Sequence, residues 1–219
     1  MATVHLWVMD ISRLSRQSVE VAKTLLTEPE LRRLDNLASA SAQETFTLGH
    51  SLTRLVVGRE FHVPATAVRI AQFCETCGGA HGRPSIEGLP IHVSIAHSGG
   101  VVAVATARNS EIAVDCEEFP PRAHNLESLG ILLSARADQI DQRFAVTRWT
   151  VHECLVKLGR RGLGDVTPLH FNYRRNMDDL MMAEDVCFRS VLVSDAVVTV
   201  GVLEPFRLIV QSGQFLFES

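Results

Sequence analysis

The sequence has no apolar run that approaches the roughly 18 residues of a membrane-spanning helix, so we expect no membrane span. Its N-terminal segment, MATVHLWVMD, lacks the basic residues that open a signal peptide and is expected to form a strand instead. The chain has 21 Lys and Arg but 25 Asp and Glu, which gives a net charge of −4. This balance argues against broad, sequence-independent nucleic-acid binding. These absences favour a cytoplasmic globular protein whose 219 residues suffice for a sizeable core.

The five cysteines are an odd number in a chain without a recognisable export signal, which favours reduced thiols. Cys74-x-x-Cys77 with His81 supplies three of the four ligands of a structural zinc site. No second pair follows at a suitable spacing, so a turn is the better interpretation of this segment. The other three cysteines lie among apolar residues and are expected to be buried: Cys116, Cys154 and Cys187.

The predicted elements run strand, helices, strands, and then a helix followed by strands. Helical spacing predicts helices over about 17–37, with Thr27 as an N-cap inside this range, over about 41–61 and over about 140–159. The second of these has an apolar stripe of Phe46, Leu48, Leu52, Leu55 and Val56. Strands are expected at Thr3–Val8, on both sides of Ser98-Gly99-Gly100, and near 168–174, 186–193 and 197–203.

A faint internal repeat indicates two similar α+β halves. SGGVVAV at 98–104 resembles SDAVVTV at 194–200, and Phe46 and Phe144 each open an amphipathic helix; the two offsets, 96 and 98, nearly agree. Chance likeness of apolar strands is the alternative. We therefore divide the chain into halves at 1–110 and 111–219 and expect a ligand cleft between them.

The segment IAVDCE at 112–117 places two acids at the end of an apolar run. Side chains alternate along a strand, so Asp115 and Glu117 share one face while Val114 and Cys116 share the other. Like charges at this spacing favour a cation between them, and a hard divalent ion such as Mg²⁺ suits two carboxylates. The simpler interpretation is an exposed strand end.

The helix segment WTVHECLVK adds a third acid. Glu153 and Lys157 are four residues apart and lie on one helix face, which is typical of a surface ion pair. In the alternative interpretation, Glu153 is a third metal ligand and Lys157 contacts a phosphate or leaving group.

Several short motifs occur in an order that resembles a known family. They are GRP at 82–84, which ends the longer stretch CETCGGAHGRP at 74–84 that also fits, VSIAHSGG at 93–100, AVDCE at 113–117 and WTVHECLVKLGRRGL at 149–163. Together they resemble the surfactin-type 4'-phosphopantetheinyl transferases, and the likeness extends over most of the chain. Four ordered pieces are far more specific than any one of them.

The resemblance implies a pseudo-dimer of two α+β halves, with coenzyme A bound in the cleft between them. It implies transfer of the phosphopantetheine arm of coenzyme A to a serine hydroxyl of an acyl, aryl or peptidyl carrier protein, with release of adenosine 3',5'-bisphosphate. By the family pattern Asp115, Glu117 and Glu153 hold Mg²⁺, for which Mn²⁺ is an alternative. A duplicated chain supplies both halves of the cleft, so we expect a monomer.

The resemblance also assigns roles to single residues. Glu153, or a water that it positions, is the expected base for the carrier serine, although it is equally compatible with a ligand role alone. Lys157 would stabilise the departing bisphosphate, and His97 would contact a coenzyme A phosphate.

Basic residues outside the metal set are expected at the nucleotide phosphates. Arg83, followed by Pro84, corresponds to a basic family residue at this place, and Arg54 and Arg33 are candidates for the same phosphate pocket. Both of the latter lie on predicted helices, where a solvated face is the alternative. For docking of an acidic carrier protein we expect basic side chains at Arg32, Arg33, Arg160 and Arg161.

The sequence departs from the family pattern at three places. Ala96 replaces a serine, His152 replaces a lysine, and Ala137, beside Asp138, replaces a glutamate. His152 would be mostly neutral at pH 7. These departures support a function of another class, a non-catalytic module that binds coenzyme A or a carrier protein, whereas the complete acidic set with Lys157 opposes it.

Overall fold

The computed structural model describes residues 1–73, 78–79, 82–119, 142–162, 164–165, 167–173 and 180–217. Within these ranges the chain mixes helices and strands and forms two sheets, which confirms the α+β class. The helices are α1 (Arg16–Lys23), α2 (Glu28–Asp35), α3 (Ala40–Phe61) and α4 (Gln142–Lys157).

The strands divide into a six-stranded and a five-stranded sheet. The strands are β1 (Ala2–Asp10), β2 (Ile70–Gln72), β3 (Pro84–Ile86), β4 (His92–Ser98), β5 (Val101–Ala107), β6 (Ile112–Glu118), β7 (Asn172–Tyr173), β8 (Met181–Ala183), β9 (Val186–Val193), β10 (Ala196–Val202) and β11 (Phe206–Ser212). The first sheet has the order β11-β1-β5-β4-β3-β2 and the second the order β6-β10-β9-β8-β7.

The helix boundaries follow local sequence signals. Thr27 caps α2 in a capping box with Glu30, and Pro29 lies in the first turn, as the sequence predicts. Ser39 caps α3 through its side chain, and His62 ends this helix in the left-handed region with φ 55. The predicted stripe of α3 is confirmed, because four of its members are buried: Phe46, Leu48, Leu52 and Val56.

The two sheets pack against each other and are covered by helices on their outer faces. Core residues between the sheets include Leu6 and Ala103 from the first sheet and Val114 and Val198 from the second. Helices α1 and α3 cover the first sheet, and α4 covers the second. The two predicted strand–turn–strand segments are antiparallel hairpins, β4–β5 in the first sheet and β9–β10 in the second. Each hairpin therefore has a helix on its outer face.

The last strand, β11, has no counterpart in the sequence-based prediction. It returns to the first sheet, where it pairs in parallel with β1, so that Ala2 faces Phe206 and Val8 faces Ser212. The division of the chain at residue 110 stays a prediction. In the part of the chain that the structure describes, no helix combines the length and apolar character needed to cross a membrane.

Candidate active site

The acidic strand β6 presents its two faces as the alternation predicts. Val114 and Cys116 lie in the core between the sheets. On the opposite face Ala113 packs under α4, and Asp115 contacts Lys157 of the same helix. The predicted burial of Cys116, Cys154 and Cys187 is also confirmed.

Lys157 pairs with Asp115, across the contact between α4 and β6. Its ammonium Nζ donates to Oδ1 of Asp115 at 2.8 Å and to the carbonyl oxygen of Val114, also at 2.8 Å. The side chains of Lys157 and Asp115 are 32% and 13% exposed. A half-buried ion pair between two elements therefore fixes the end of α4 against the acidic strand.

Burial and mutual charge perturb the acids of this site. Burial raises the pKa of Asp115, and the Lys157 ammonium opposes this rise. Burial and then the Asp115 charge raise the pKa of Glu153, so the two carboxylates are close enough to interact. Burial by itself would lower the pKa of Lys157, but the charge and hydrogen bond of Asp115, together with the nearby Cys154 and Cys116, outweigh this effect, and the net pKa of Lys157 is raised.

The predicted metal ligands provide suitable donors but are not assembled into a ready site. Carboxylate oxygens are what Mg²⁺ prefers, and Asp115 and Glu153 repel each other in a way that a cation would relieve. However, within the described ranges no group of three or more His, Cys, Asp or Glu side chains is arranged to hold a metal ion. The Oδ1 atom of Asp115 is already bonded to Lys157. The set Asp115, Glu117 and Glu153 stays a prediction.

A cavity of about 410 Å³ adjoins the ion pair, where β3, β4, β6 and α4 meet. It brings together residues from three of the four ordered motifs, which are far apart in the chain, and Ile112, which directly precedes the fourth. Its lining consists of Gln72, Gly82, Arg83, Pro84, Ser94, Ile95, Ile112, Val156 and Lys157.

Arg83 and His97 lie near the acidic strand from the other sheet. Arg83 donates from Nη2 to the carbonyl oxygen of Ile112 at 3.2 Å, and its Nη1 lies 3.4 Å from the carboxylate of Glu111. His97 is exposed at the end of β4, and its charge contributes to lowering the pKa of Asp115, after the larger effects of burial and Lys157. Ala96 is buried in the core between the sheets.

Two serines that the sequence analysis did not select hold β6 against β4. The Oγ of Ser94 accepts from the backbone N–H of Val114 at 3.0 Å, and the Oγ of Ser98 accepts from that of Glu118 at 3.3 Å. The lysine and arginine contacts described above reach carbonyl oxygens of the same strand edge. The motif VSIAHS shows two serines on the same face of a strand, which is the only local sign of these contacts. Their partners, Val114 and Glu118, lie 20 residues further along the chain, so the sequence does not identify them.

Arg54 is engaged by an acid inside the first half of the chain. Its guanidinium donates to both carboxylate oxygens of Glu30, at 3.0 and 2.8 Å, and its side chain is 1% exposed. His50 Nδ1 lies 2.6 Å from the same carboxylate. Burial tends to raise the pKa of Glu30, but hydrogen bonds from His50, Thr27 and Arg54 outweigh it and lower this pKa to about 2.

Arg33 lies on a second cavity of about 370 Å³, which Arg54 and Arg69 also line. Its Nη1 donates to Oε1 of Gln72 at 2.7 Å, and Gln72 in turn donates to the carbonyl oxygen of Gly82 at 3.1 Å. Gln72 lines both cavities, so they are neighbours. The structure thereby brings Arg33 and Arg54 to one cavity, and Arg83, Pro84 and Lys157 to the next.

His152 lies on the buried side of α4 and does not line either of these two cavities. Its ring is 0% exposed, and neither nitrogen has a hydrogen-bond partner among the described residues. Burial, and then the charge of Arg161, lower its pKa, which agrees with the neutral histidine expected from the sequence.

The arginines expected at a docking surface differ in their surroundings. Arg32 pairs with Glu28 one turn earlier, and Arg161 pairs with Glu184. Arg160 is exposed. Other expectations, namely the Cys74, Cys77 and His81 segment and the Ala137 and Asp138 position, lie outside the described residues.

Comparison of the chain with protein-family models gives no match, and comparison with curated proteins gives none either. The function of the chain is therefore inferred from its motifs and from the geometry around Asp115 and Lys157.

Proposed function

We propose that this protein is a 4'-phosphopantetheinyl transferase of the cytoplasm. It moves the phosphopantetheine arm of coenzyme A to a serine hydroxyl of an apo carrier protein, working as a monomer whose two α+β halves form the pseudo-dimer of that family. The observation that carries the proposal is the Asp115–Lys157 ion pair beside a 410 Å³ cavity, which is lined by residues of three of the four ordered motifs and by Ile112, directly before the fourth.

The charges around the two cavities suit a donor with several phosphates. Arg83 and Lys157 line the first cavity and Arg33 lines the neighbouring one, so basic groups follow a path through both. In this proposal the pyrophosphate of coenzyme A lies beside Arg83 and Lys157, and His97 contacts a further phosphate. Cations placed along a phosphate chain both bind it and orient it for reaction.

The proposed reaction needs a base for the serine and a cation for the leaving group. The serine oxygen bonds to the phosphorus that bears the pantetheine arm, and the bond from this phosphorus to the bridging oxygen breaks. Glu153 takes the serine proton; burial and the Asp115 charge raise its pKa, which makes it a stronger base than an exposed glutamate. Lys157 keeps its proton, because its pKa is raised, and stabilises the bisphosphate as a cation.

Mg²⁺ is the cofactor that the resemblance implies, with Asp115, Glu117 and Glu153 as its ligands and Mn²⁺ as the alternative ion. When bound, it would neutralise negative charge on the pyrophosphate.

A second candidate function is a non-catalytic module that binds coenzyme A or a carrier protein. The specific observation in its favour is that the described acids are not assembled for a metal, while Asp115 is bonded to Lys157. The departures at Ala96 and His152 point the same way, since neither side chain lines the two cavities.

The decisive experiment is incubation of the protein with coenzyme A, Mg²⁺ and an apo carrier protein, read by intact mass of the carrier. The transferase adds one phosphopantetheine arm per carrier, and Asp115→Asn abolishes this gain. Asp185→Asn is the matched control, because Asp185 lies at φ 64 in an exposed turn, where asparagine is well tolerated. Coenzyme A binding without any gain of mass favours the module instead.

A further inference from the structure

The ammonium group of Lys157 lies where a cation beside Asp115 would lie. It is bonded to Oδ1 of Asp115 and to the carbonyl oxygen of Val114, both at 2.8 Å. Lysine is rare in this chain: Lys157 and Lys23 are the only two, and every other basic side chain among the 21 Lys and Arg is arginine. A compact ammonium on a flexible stem is therefore bonded to one of the predicted metal ligands, Asp115.

We propose that Lys157 is the resident counter-cation of Asp115, and that a divalent metal ion must displace its ammonium to bind there. The inference rests on the proposed function in one respect, because it takes Asp115 as a metal ligand. It adds that the metal-free protein carries a built-in competitor for its metal.

The charge balance of the site supports this competition. Asp115 and Glu153 are partly buried acids that repel each other, and a buried carboxylate without a cation is costly. Lys157 supplies this cation in the metal-free protein. A divalent ion bonded to Asp115 would repel an ammonium that stays 2.8 Å from the same carboxylate, so the two cations exclude each other.

The neighbouring cavity has space for the displaced side chain of Lys157. Lys157 lines the 410 Å³ cavity and its side chain is 32% exposed, so its four-carbon stem can rotate away from β6 without disturbing the core. In that cavity the ammonium meets the region assigned to the donor phosphates. Metal binding would thereby deliver the lysine to the phosphates and couple the two binding events.

The first test measures Mn²⁺ affinity by electron paramagnetic resonance with metal-free protein. Lys157→Gln, which keeps a polar side chain of similar length, should bind Mn²⁺ at least about tenfold more tightly than the wild type. Arg83→Gln is the control: it removes a nearby cation that lines the same cavity but pairs with Glu111 and the Ile112 carbonyl, and it should change the affinity less than about threefold. An unchanged or weaker affinity in Lys157→Gln, or no Mn²⁺ binding by any variant, overturns the inference.

The second test uses only wild-type protein, so it does not depend on the folding of a variant. An amine-reactive reagent is applied with and without saturating Mg²⁺, and modification of the two lysines is compared by peptide mass spectrometry. Lys23, exposed at the end of α1, is the internal reference. Mg²⁺ should raise modification of Lys157 severalfold relative to Lys23, and an unchanged ratio refutes displacement.

The outcomes separate this inference from the proposed function. Tighter Mn²⁺ binding by Lys157→Gln, in a protein that transfers nothing to any carrier, supports the inference and rejects the transferase. If the wild type transfers the phosphopantetheine arm but Lys157→Gln binds Mn²⁺ with unchanged affinity, the inference is rejected and the proposed transferase function is retained.

Discussion

The buried carboxylate of Glu30 offers a quantitative test of how the first half of the chain is held together. Its pKa lies at about 2 instead of 4.5, although burial alone would raise it, because His50, Thr27 and Arg54 donate to the ionised form. A difference of this size corresponds to roughly 3 kcal/mol of folding free energy. Solvent near the group screens part of that, so we expect about 2–3 kcal/mol.

The sign follows from the lowered pKa. Glu30 stabilises the folded state fully at pH values above 4.5, and this contribution is lost as the pH falls from 4.5 towards about 2. Urea unfolding measured across this range should show the loss in the wild type. In Glu30→Gln that component of the pH dependence should be absent.

At neutral pH, Glu30→Gln leaves the guanidinium of Arg54, which is 1% exposed, without its partner carboxylate. We therefore expect the free energy of unfolding to fall by about 3–5 kcal/mol. The matched control is Glu28→Gln in the same first turn of α2, where the side chain is 81% exposed and pairs with Arg32. It should change stability by less than about 1 kcal/mol. Equal effects of the two substitutions would refute the reasoning.

Two further substitutions test features of the second sheet and of its contact with the first. Ser94→Ala removes the acceptor of the Val114 N–H and should lower the free energy of unfolding in urea by about 1–2 kcal/mol. Ser85→Ala is the control, because its hydrogen bond is exposed and longer, at 3.4 Å, and it should lower this free energy much less. Equal losses of stability would contradict a role for Ser94 at the sheet contact. His152→Leu replaces a fully buried ring, which has no hydrogen-bond partner among the described residues, by an apolar side chain. It should raise the free energy of unfolding in urea by about 1 kcal/mol. A clear loss of stability would mean that the ring has a necessary partner.

Local patterns were sufficient to predict the helices near the candidate site, but not strands β2 and β3, which also border it. Helices α3 and α4 were placed within about two residues, because their apolar spacing repeats over several turns. The faces of Asp115 and Glu117 follow from the period of a strand. Strand β11 was missed, because its only described partner strand is β1 at the other end of the chain and nothing local marks a parallel pairing.

The partners of charged side chains were the least predictable part of the site. Sequence spacing offered Glu153 as the neighbour of Lys157, whereas the structure pairs Lys157 with Asp115, 42 residues away. Arg54 likewise pairs with Glu30, 24 residues away. Such pairs depend on how a helix lies on a sheet or on another helix, which residue periodicity does not encode.

The parallel pairing of β11 with β1 has a consequence for synthesis of the chain. One edge of β1 is matched by β5 early, but its other edge acquires a partner only when the residues up to Ser212 have left the ribosome. Until then the nascent first sheet exposes unsatisfied backbone groups, and such open edges invite association with other chains. A nascent chain released before Phe206 is made would therefore lack the strand that covers this edge of β1.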